Sequence, residues 1–582
     1  MRLKIINSKN VRLLYVIKTI YVEGKEKTVT VEKLGRASDI KERLNGSDPI
    51  EWAKIYVKEL NEKELNANKD ISVKFSTSKC IEKDKQLFFN GGYLFLQKIY
   101  HELGLNKICS EISKKYKFDF DLNSVLSRLV YSRIIYPSSK LAMYELSKKF
   151  IEKPNFELQH IYRSLDFIAK ESDFIQASLY NNSLKIAKLN SGVLYYDCTN
   201  FFYEIEEADI DGLRQYGFSK EHRPNPIVQM GLFMDGDGIP LAFSINKGNT
   251  NEQTTLKPLE EKILSDFGLS KFVVCTDAGL ASISNRKFNS QGKRAFINTQ
   301  SIKKLKGYLR EWALNPGGWH LAGDTKIYDI SKLYEIINEM TPEEAAKLKN
   351  KTFFKERWIN DDGLEQKLIV TFSFKYRDYQ RNIRNSQIER AQKVIYSNPK
   401  SIGKPKQNDF KRFIKKTTCT KDGEIAKENF FDIDSEVIEN EMIFDGFYGV
   451  CTNLDDTASE IIKVNHRRWE IEECFRIMKS EFKARPVYLS RDDRIIAHFT
   501  TCFVSLLIYR FLEKKLNYNF TCHEIISGLK EMNFLEIQGE GYIPTYTRNT
   551  FTDELHRAFG FNTDSQISTL KKMKNIFLET KK

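Results

Sequence analysis

Two apolar runs in this chain each end on an acid. VLYYDCT carries Asp197 and FVVCTDAG carries Asp277, and far downstream the segment NHRRWEIEECFRIMK, residues 465–479, carries Glu470, Glu472 and Glu473. Carboxylate oxygens suit hard Mg2+ or Mn2+, with waters and phosphate oxygens completing the shell. Two such ions about 3.5–4 Å apart can activate an attacking oxygen and stabilise a leaving one, which cuts or rejoins a phosphodiester bond. An acid inside an apolar strand is costly to bury unless a cation neutralises it. Either aspartate alone is equally well a turn or cap residue. Two on strands and a third on a helix point to one metal-binding, catalytic set.

Helical phase selects the third acid. At about 100° per residue from Val464, Ile471, Phe475, Met478 and Phe482 fall within about 40° and form a core stripe. Arg468, Lys479 and Glu472 lie at about +40°, +60° and +80°, a polar row on one shoulder of that stripe. Glu473 falls about 180° away, toward solvent, and Glu470 also lies off the row. The reading is therefore Asp197, Asp277 and Glu472, with Arg468 and Lys479 as phosphate contacts, one a planar fork and the other a point charge. The plain alternative is an Arg468–Glu472 surface pair worth about 0.3–0.5 kcal/mol.

Charge points the same way. The chain of 582 residues has a formal net charge of +14 and a pI near 9.0, which favours a polyanionic partner. A lysine-rich proteome would give the same balance. Residues 375–416 hold 13 Lys and Arg against 3 Asp and Glu, a net +10, interleaved with Tyr376, Tyr379, Tyr396, Phe410 and Phe413. That pattern fits a surface tracking a nucleic-acid backbone through Lys404, Lys406, Lys411, Arg412, Lys415 and Lys416; a solvated basic face is the alternative. Glu204, Glu206, Glu207, Asp209 and Asp211 read as a solvated loop, and Asp235 and Asp237 as turn residues. The nine cysteines form no C-x-x-C pair and read as reduced thiols, and the eight scattered histidines argue against zinc. The start has no apolar signal region. The greasiest stretch, FVSLLIYRFL, is short for a bilayer and contains Arg510, so it reads as a buried helix and no membrane partner is implied.

Elements able to position these residues follow from the patterning. Residues 11–35 alternate as a β-hairpin turning at Glu23-Gly24-Lys25, and 36–68 read as helical. Periodicity over 92–190 is helical. From 192 the order is three antiparallel strands, with Asp235-Gly-Asp-Gly238 joining the second and third, then a helix, a strand, a short helix and a strand. That is the order of an RNase H-like core. The expected class is α/β. Its parts are an N-terminal hairpin and helix region (1–90) with a possible DNA-binding role, a helical domain (91–190), the first part of the core (191–300), a β-rich basic insertion (301–455), the second part of the core with the glutamate helix (456–520), and a helical C-terminal tail (521–582).

These blocks resemble a known family. YYDCTNFFYE, YGFSKEHRPNPIVQMGLFMDGDGIPLAFSINKGNTNEQTTL, VVCTDAGLAS, FDGFYGVCTNL, RRWEIEECFRIMKSEFKARPVYLSRDDRIIAHF and GYIPTYTRNTFTDELHRAFGF together resemble the DDE transposases of bacterial insertion sequences, of the type represented by insertion sequence four, in its long branch of about six hundred residues. The resemblance covers roughly 190–560. It implies catalytic Asp197, Asp277 and Glu472 holding two Mg2+ ions, for which Mn2+ can substitute. The family signature Y-x-x-R-x-x-x-E-x-x-x-x-x-x-K falls on Asn465, Arg468, Glu472 and Lys479, with asparagine where tyrosine is usual. It further implies cut-and-paste transposition: a homodimer on double-stranded DNA binds terminal inverted repeats, cleaves the element ends and joins them to target DNA, in the bacterial cytoplasm at the nucleoid. A catalytically inactive or repurposed DNA-binding protein derived from a transposase, and an RNase H-like nuclease without strand transfer, are the competing readings.

Overall fold

The computed structural model describes residues 1–582 except 9–10, 23–24, 45–47, 68–70, 72, 74–75, 79, 398–408 and 420–424. The chain divides into two compact units, Met1–Gln86 with Gln538–Glu540, and Leu87–Ile537 with Gly541–Lys582.

In the first unit, β1 (Arg2–Ser8), β2 (Val11–Val22) and β3 (Lys25–Arg36) form an antiparallel sheet. The hairpin expected over 11–35 is β2–β3, paired from Leu13↔Arg36 to Val22↔Lys25; Glu23 and Gly24 of its turn lie outside the described residues. Helices Ala37–Arg43 and Pro49–Ala67 follow, and Leu14, Ile40 and Ala53 make a small buried core.

The second unit opens with β4 (Phe88–Asn90) and six helices between Tyr93 and Ile186. Then comes β5 (Val193–Phe202), paired antiparallel with β6 (Ile227–Asp235), which pairs with β7 (Pro240–Lys247). β8 (Val273–Thr276) lies parallel to β5 on its other side, and β9 (Ala295–Gln300) parallel to β8. The order β7-β6-β5-β8-β9 is the RNase H-like core expected from the sequence. Asp235 closes the β6–β7 turn: its carboxylate accepts from the backbone N–H groups of Asn190 (2.9 Å), Asp237 (2.9 Å) and Ile239 (2.8 Å).

The insertion continues this sheet. β10 (His320–Leu321), β11 (Phe353–Asp361), β12 (Leu364–Phe372) and β15 (Phe447–Thr452) extend it beyond β9, giving nine strands in the order β10-β11-β12-β15-β9-β8-β5-β6-β7. The link is β15 on β9, from Gly449↔Gln300 to Thr452↔Ile297. β13 (Ile414–Cys419) and β14 (Ile425–Ile433) form a separate two-stranded ribbon. A second buried cluster around Trp319, Phe353, Phe372 and Phe374 packs under the added strands.

Helix Asp492–Lys515 is long and apolar enough to cross a membrane, yet 94% of its apolar window is buried inside the protein. Its one deep cation, Arg510, meets Glu470 at 2.5 Å, Glu513 at 2.8 Å and the Gly238 carbonyl at 2.9 Å, the full pairing a buried guanidinium requires. The tail is helical (Cys522–Glu531, Thr550–Phe559, Leu570–Glu579), but it also contributes β16 (Asn533–Ile537), β17 (Gly541–Pro544) and β18 (Ser568–Thr569). These pair onto β4 in the order β18-β17-β16-β4, a set of strands too short to announce themselves in the sequence.

Candidate active site

Alternation along β5 sorts its side chains. Tyr196 and Cys198 turn to one face, where both reach the Thr255 hydroxyl (2.7 and 3.2 Å). Tyr195, Asp197, Thr199 and Phe201 turn to the other. There Tyr195 donates to the Val464 carbonyl at 2.7 Å, and the Lys479 ammonium donates to Thr199 at 2.6 Å while standing 5.5 Å from the Phe201 ring. Asp197 therefore faces the glutamate-helix region.

The parallel register of β5 on β8 runs Val193↔Val273, Leu194↔Val274, Tyr195↔Cys275. Continued two residues, it sets Asp197 beside Asp277, which follows the last residue of β8, on the same face and one strand spacing away. The structure thus brings these two acids together. Asp277 is fixed by accepting the Leu280 N–H at 3.0 Å, and the Gly279 backbone runs close beside its carboxylate. Burial first, and then the neighbouring Asp277, push the Asp197 carboxyl up to about 6, while Lys220, the Cys198 N–H (2.8 Å) and Arg468 pull it down. Two carboxylates in one partly desolvated place, with cations around them, form a donor set that fits a divalent metal.

The expected single helix over 465–482 is a chain of three segments. Ala458–His466 ends in i→i+3 hydrogen bonds at Arg467 and Arg468 (3.1 and 3.3 Å), helix Trp469–Arg476 follows, and Ile477–Glu481 is a π-helical turn closed by Phe482 N–H to the Ile477 carbonyl at 2.9 Å. The core stripe is as expected, with Ile471, Phe475, Met478 and Phe482 all buried. Arg468 and Lys479 both lie close enough to Asp197 to bias its charge. Among the described residues, Nη1 of Arg468 is buried without a hydrogen-bond partner. Lys479 is pushed down to about 8 by burial and by Lys220, against the pull of Asp197.

Glu472 stands apart from the aspartates. Its side chain is 64% exposed and its Oε1 lies 3.7 Å from Nη2 of Arg468, beyond hydrogen-bond length. Among the described residues no three His, Cys, Asp or Glu side chains converge to hold a metal ion. Glu472, Arg468, Trp469, Tyr376, Tyr379 and Tyr448 instead line an open cleft of about 520 Å3. Glu473, expected to face solvent, is corrected: it is 24% exposed and pairs with Arg476. The cause is tertiary, since Glu513 and Cys522 of the following helices lie near enough to feel its charge, so that side of the helix is covered as well. Glu470 is likewise occupied, by Arg510.

Asn465 is 5% exposed, and its amide donates to the Tyr448 hydroxyl at 3.0 Å. Arg412 is engaged by Glu441 (2.8 Å), Gln387 (2.9 Å) and the Asp409 carbonyl (3.0 Å). Lys415 and Lys416 are exposed on β13 and Lys411 is half-buried, whereas Lys404 and Lys406 lie outside the described residues. Part of the basic segment's charge points inward: Arg384 is buried on Asp445, and Phe413 is fully buried. In the acidic loop, Asp209 is a structural partner of Arg214.

Sequence reasoning missed Lys220 and Glu221. The Lys220 ammonium donates to the Cys198 carbonyl and lies 3.3 Å from Glu252, and it is the strongest influence favouring ionised Asp197. Glu221 pairs with Lys479 at 3.7 Å and with Arg485. The signal was available: S-K-E-H-R is a dense charge cluster just before an apolar strand, though spacing alone does not aim it at Asp197.

One acid on β5 and one just past β8 of an RNase H-like sheet, with cations near them, are a residue set of the kind that phosphodiester chemistry uses. Residues 208–508 match the family described as Transposase DDE domain, over half of the chain, and the protein belongs to that family. The matched stretch includes Asp277 and Glu472 and begins after Asp197. No curated protein matches the chain. Among solved structures it is similar to one described as a cryo-EM structure of piggyBac transposase synaptic complex with hairpin DNA, at 9% identity over 84% of each chain and a TM-score of 0.34, a likeness too low to bear on fold or function.

Proposed function

We propose that this transposase-family protein moves a DNA element of the insertion sequence four type by cut-and-paste. It would bind terminal inverted repeats as a homodimer, cleave the element ends and join the freed 3′ ends to target DNA. The observation that carries this reading is the juxtaposition of Asp197 on β5 with Asp277, just past the end of the adjacent parallel strand β8, with Arg468 and Lys479 close enough to Asp197 to interact with its charge. Asp197, Asp277 and Glu472 are the residues that would hold two Mg2+ or Mn2+ ions. Such ions supply Lewis acidity to a scissile phosphate and its attacking and leaving oxygens. The chain's own part is to orient and neutralise. Arg468 offers a buried, unpartnered Nη1 to a phosphate oxygen, and Lys479 is held over the site by Thr199. Purified protein incubated with Mg2+ and a duplex ending in the element's inverted repeat should release that end with a 3′-hydroxyl. Intact duplex after many hours in both Mg2+ and Mn2+ would refute the reading.

Metal binding should track the ionisation of Asp197. A carboxyl raised to about 6 favours the folded state when protonated, so in metal-free protein its contribution to stability falls as pH rises through 6. Metal demands the carboxylate, so the opposite dependence appears when metal is added. The rise in melting temperature caused by Mn2+ should be larger at pH 7.5 than at pH 5.5, and absent in Asp197→Asn. An increment equal at both pH values would place the metal elsewhere.

DNA contact by the exposed lysines of β13 makes a smaller prediction. Lys415→Gln with Lys416→Gln should reduce the slope of log affinity against log salt by about 0.9 per lysine lost from a phosphate. Binding measured between low and moderate salt checks it, and an unchanged slope returns both lysines to a solvated role.

A further inference from the structure

A pocket of about 310 Å3 lies between the connection joining helices Leu122–Ile135 and Lys140–Ser147 and the loop that follows the π-turn, with helix Asp492–Lys515 behind it. Arg133, Lys140, Lys483 and Arg485 all line it, and among the described residues no Asp or Glu does. Two of these cations are deeply buried: Lys140 is 7% exposed and Arg133 2%. The Lys140 ammonium has no hydrogen-bond partner among the described residues, and neither does Nε of Arg133. Arg133 spends Nη1 on the Phe482 carbonyl at 3.1 Å and Nη2 on the Met143 sulfur at 3.6 Å, so it gives Lys140 no relief. His498, also lining the pocket, meets the Ala484 carbonyl at 3.1 Å, and burial together with Arg133 and Lys140 holds it far below the usual imidazole range, hence neutral. Ser138 and Ser139 line the mouth, and Ser139 caps helix Lys140–Ser147, whose N-terminus adds positive potential.

Buried cations with no counter-charge are costly, and native proteins seldom retain them without a ligand. Burial, with Arg133 beside it, pushes Lys140 down to about 7. A tetrahedral oxyanion seated here would meet the orphaned ammonium and the Ser139 hydroxyl together, whereas Ser138 donates its hydroxyl to the Tyr136 carbonyl at 3.1 Å. The pocket is also coupled to the candidate active site: Arg485, on its wall, pairs with Glu221, which pairs with Lys479, which is bonded to Thr199 two residues beyond Asp197 on β5.

We propose that this pocket is an oxyanion site that takes a phosphate group, supplied by a phosphodiester of the DNA bound at the neighbouring acids. The oxyanion site stands on the pocket alone; the DNA source rests on the function proposed above.

Calorimetric titration of the full-length protein with inorganic phosphate, at fixed ionic strength, reads the site directly. One phosphate should bind the wild type; Lys140→Met should weaken it at least tenfold, and Lys140→Arg should largely restore it. Removing an uncompensated buried charge should leave the melting temperature of Lys140→Met unchanged or higher, so lost binding is not lost folding. Should that variant melt early, Ser139→Ala, expected to weaken phosphate severalfold, takes its place. If wild type binds no phosphate, or Lys140→Met binds it as tightly, the site is overturned. A terminal-repeat duplex should displace phosphate, and Lys140→Met should bind that duplex at least fivefold more weakly. Phosphate binding that duplex fails to displace supports the oxyanion site and overturns DNA as its source. Asp197→Asn should keep phosphate binding intact while losing cleavage, which separates a failure here from a failure of the catalytic reading.

Discussion

Asparagine in place of Asp197 should lower metal-dependent DNA cleavage by at least about a thousandfold, the several kcal/mol of charge stabilisation that a correctly held ion contributes. The amide keeps the shape of the acid and its place on β5, where it can still accept the Cys198 N–H. It loses the charge that the proposed cation site requires next to Asp277. The fold should not suffer. A carboxyl raised to about 6 is ionised at neutral pH against the preference of its surroundings, so the neutral amide should be as stable as the acid or more so at pH 7. DNA binding should be nearly unchanged, because Arg468, Lys479 and the exposed lysines remain. The required measurements are single-turnover cleavage, duplex affinity and a melting curve on the same preparation. Wild-type cleavage in a well-folded variant would remove Asp197 from the catalytic set. Lost binding or an early melt would recast it as structural.

How far the residue pattern could carry this result differs from element to element. β5 to β9 were legible because each is a short apolar run with turn residues at its ends. The acids Asp197 and Asp277 stood out because ionisable groups are rare in such runs. The register between them was not legible: it follows from a parallel pairing of strands 80 residues apart, which no local pattern encodes. The insertion reads as strands in the sequence, but that β15 would pair with β9 and join the core sheet depends on edges that only the fold creates. The glutamate helix shows the same division. Periodicity placed Ile471, Phe475, Met478 and Phe482 in the core, yet it assumed an unbroken 3.6-residue repeat. The tight turn at Arg467–Arg468 and the π-turn at Ile477–Glu481 break that repeat on either side of the acid. Arg412 and Arg384 show the limit of charge counting: both belong to the basic run, but Glu441 and Asp445, distant in sequence, take them.

Glutamine at Glu472 should also cost at least about a thousandfold in cleavage, by the same loss of a charged ligand, with almost no change in stability. The side chain is mostly exposed and holds only a 3.7 Å contact to Arg468, an interaction of the surface kind worth at most about 1 kcal/mol. Such a carboxylate is free to change rotamer, and Arg468, which lies near both Glu472 and Asp197, marks the direction in which it would swing. Its two acidic neighbours have no such freedom. Glu473 is paired with Arg476 and Glu470 with Arg510, so reaching the aspartates would mean abandoning partners in half-buried surroundings. Glu473→Gln should therefore cost a little stability, up to about 1 kcal/mol, and leave cleavage within a fewfold of wild type. Cleavage by Glu472→Gln and Glu473→Gln, each paired with a denaturation curve, decides among the three acids. A silent change at 472 alongside a dead but folded variant at 473 would mean that the helix presents a different face in the DNA-bound state, and the candidate site would have to be rebuilt around the other carboxylate.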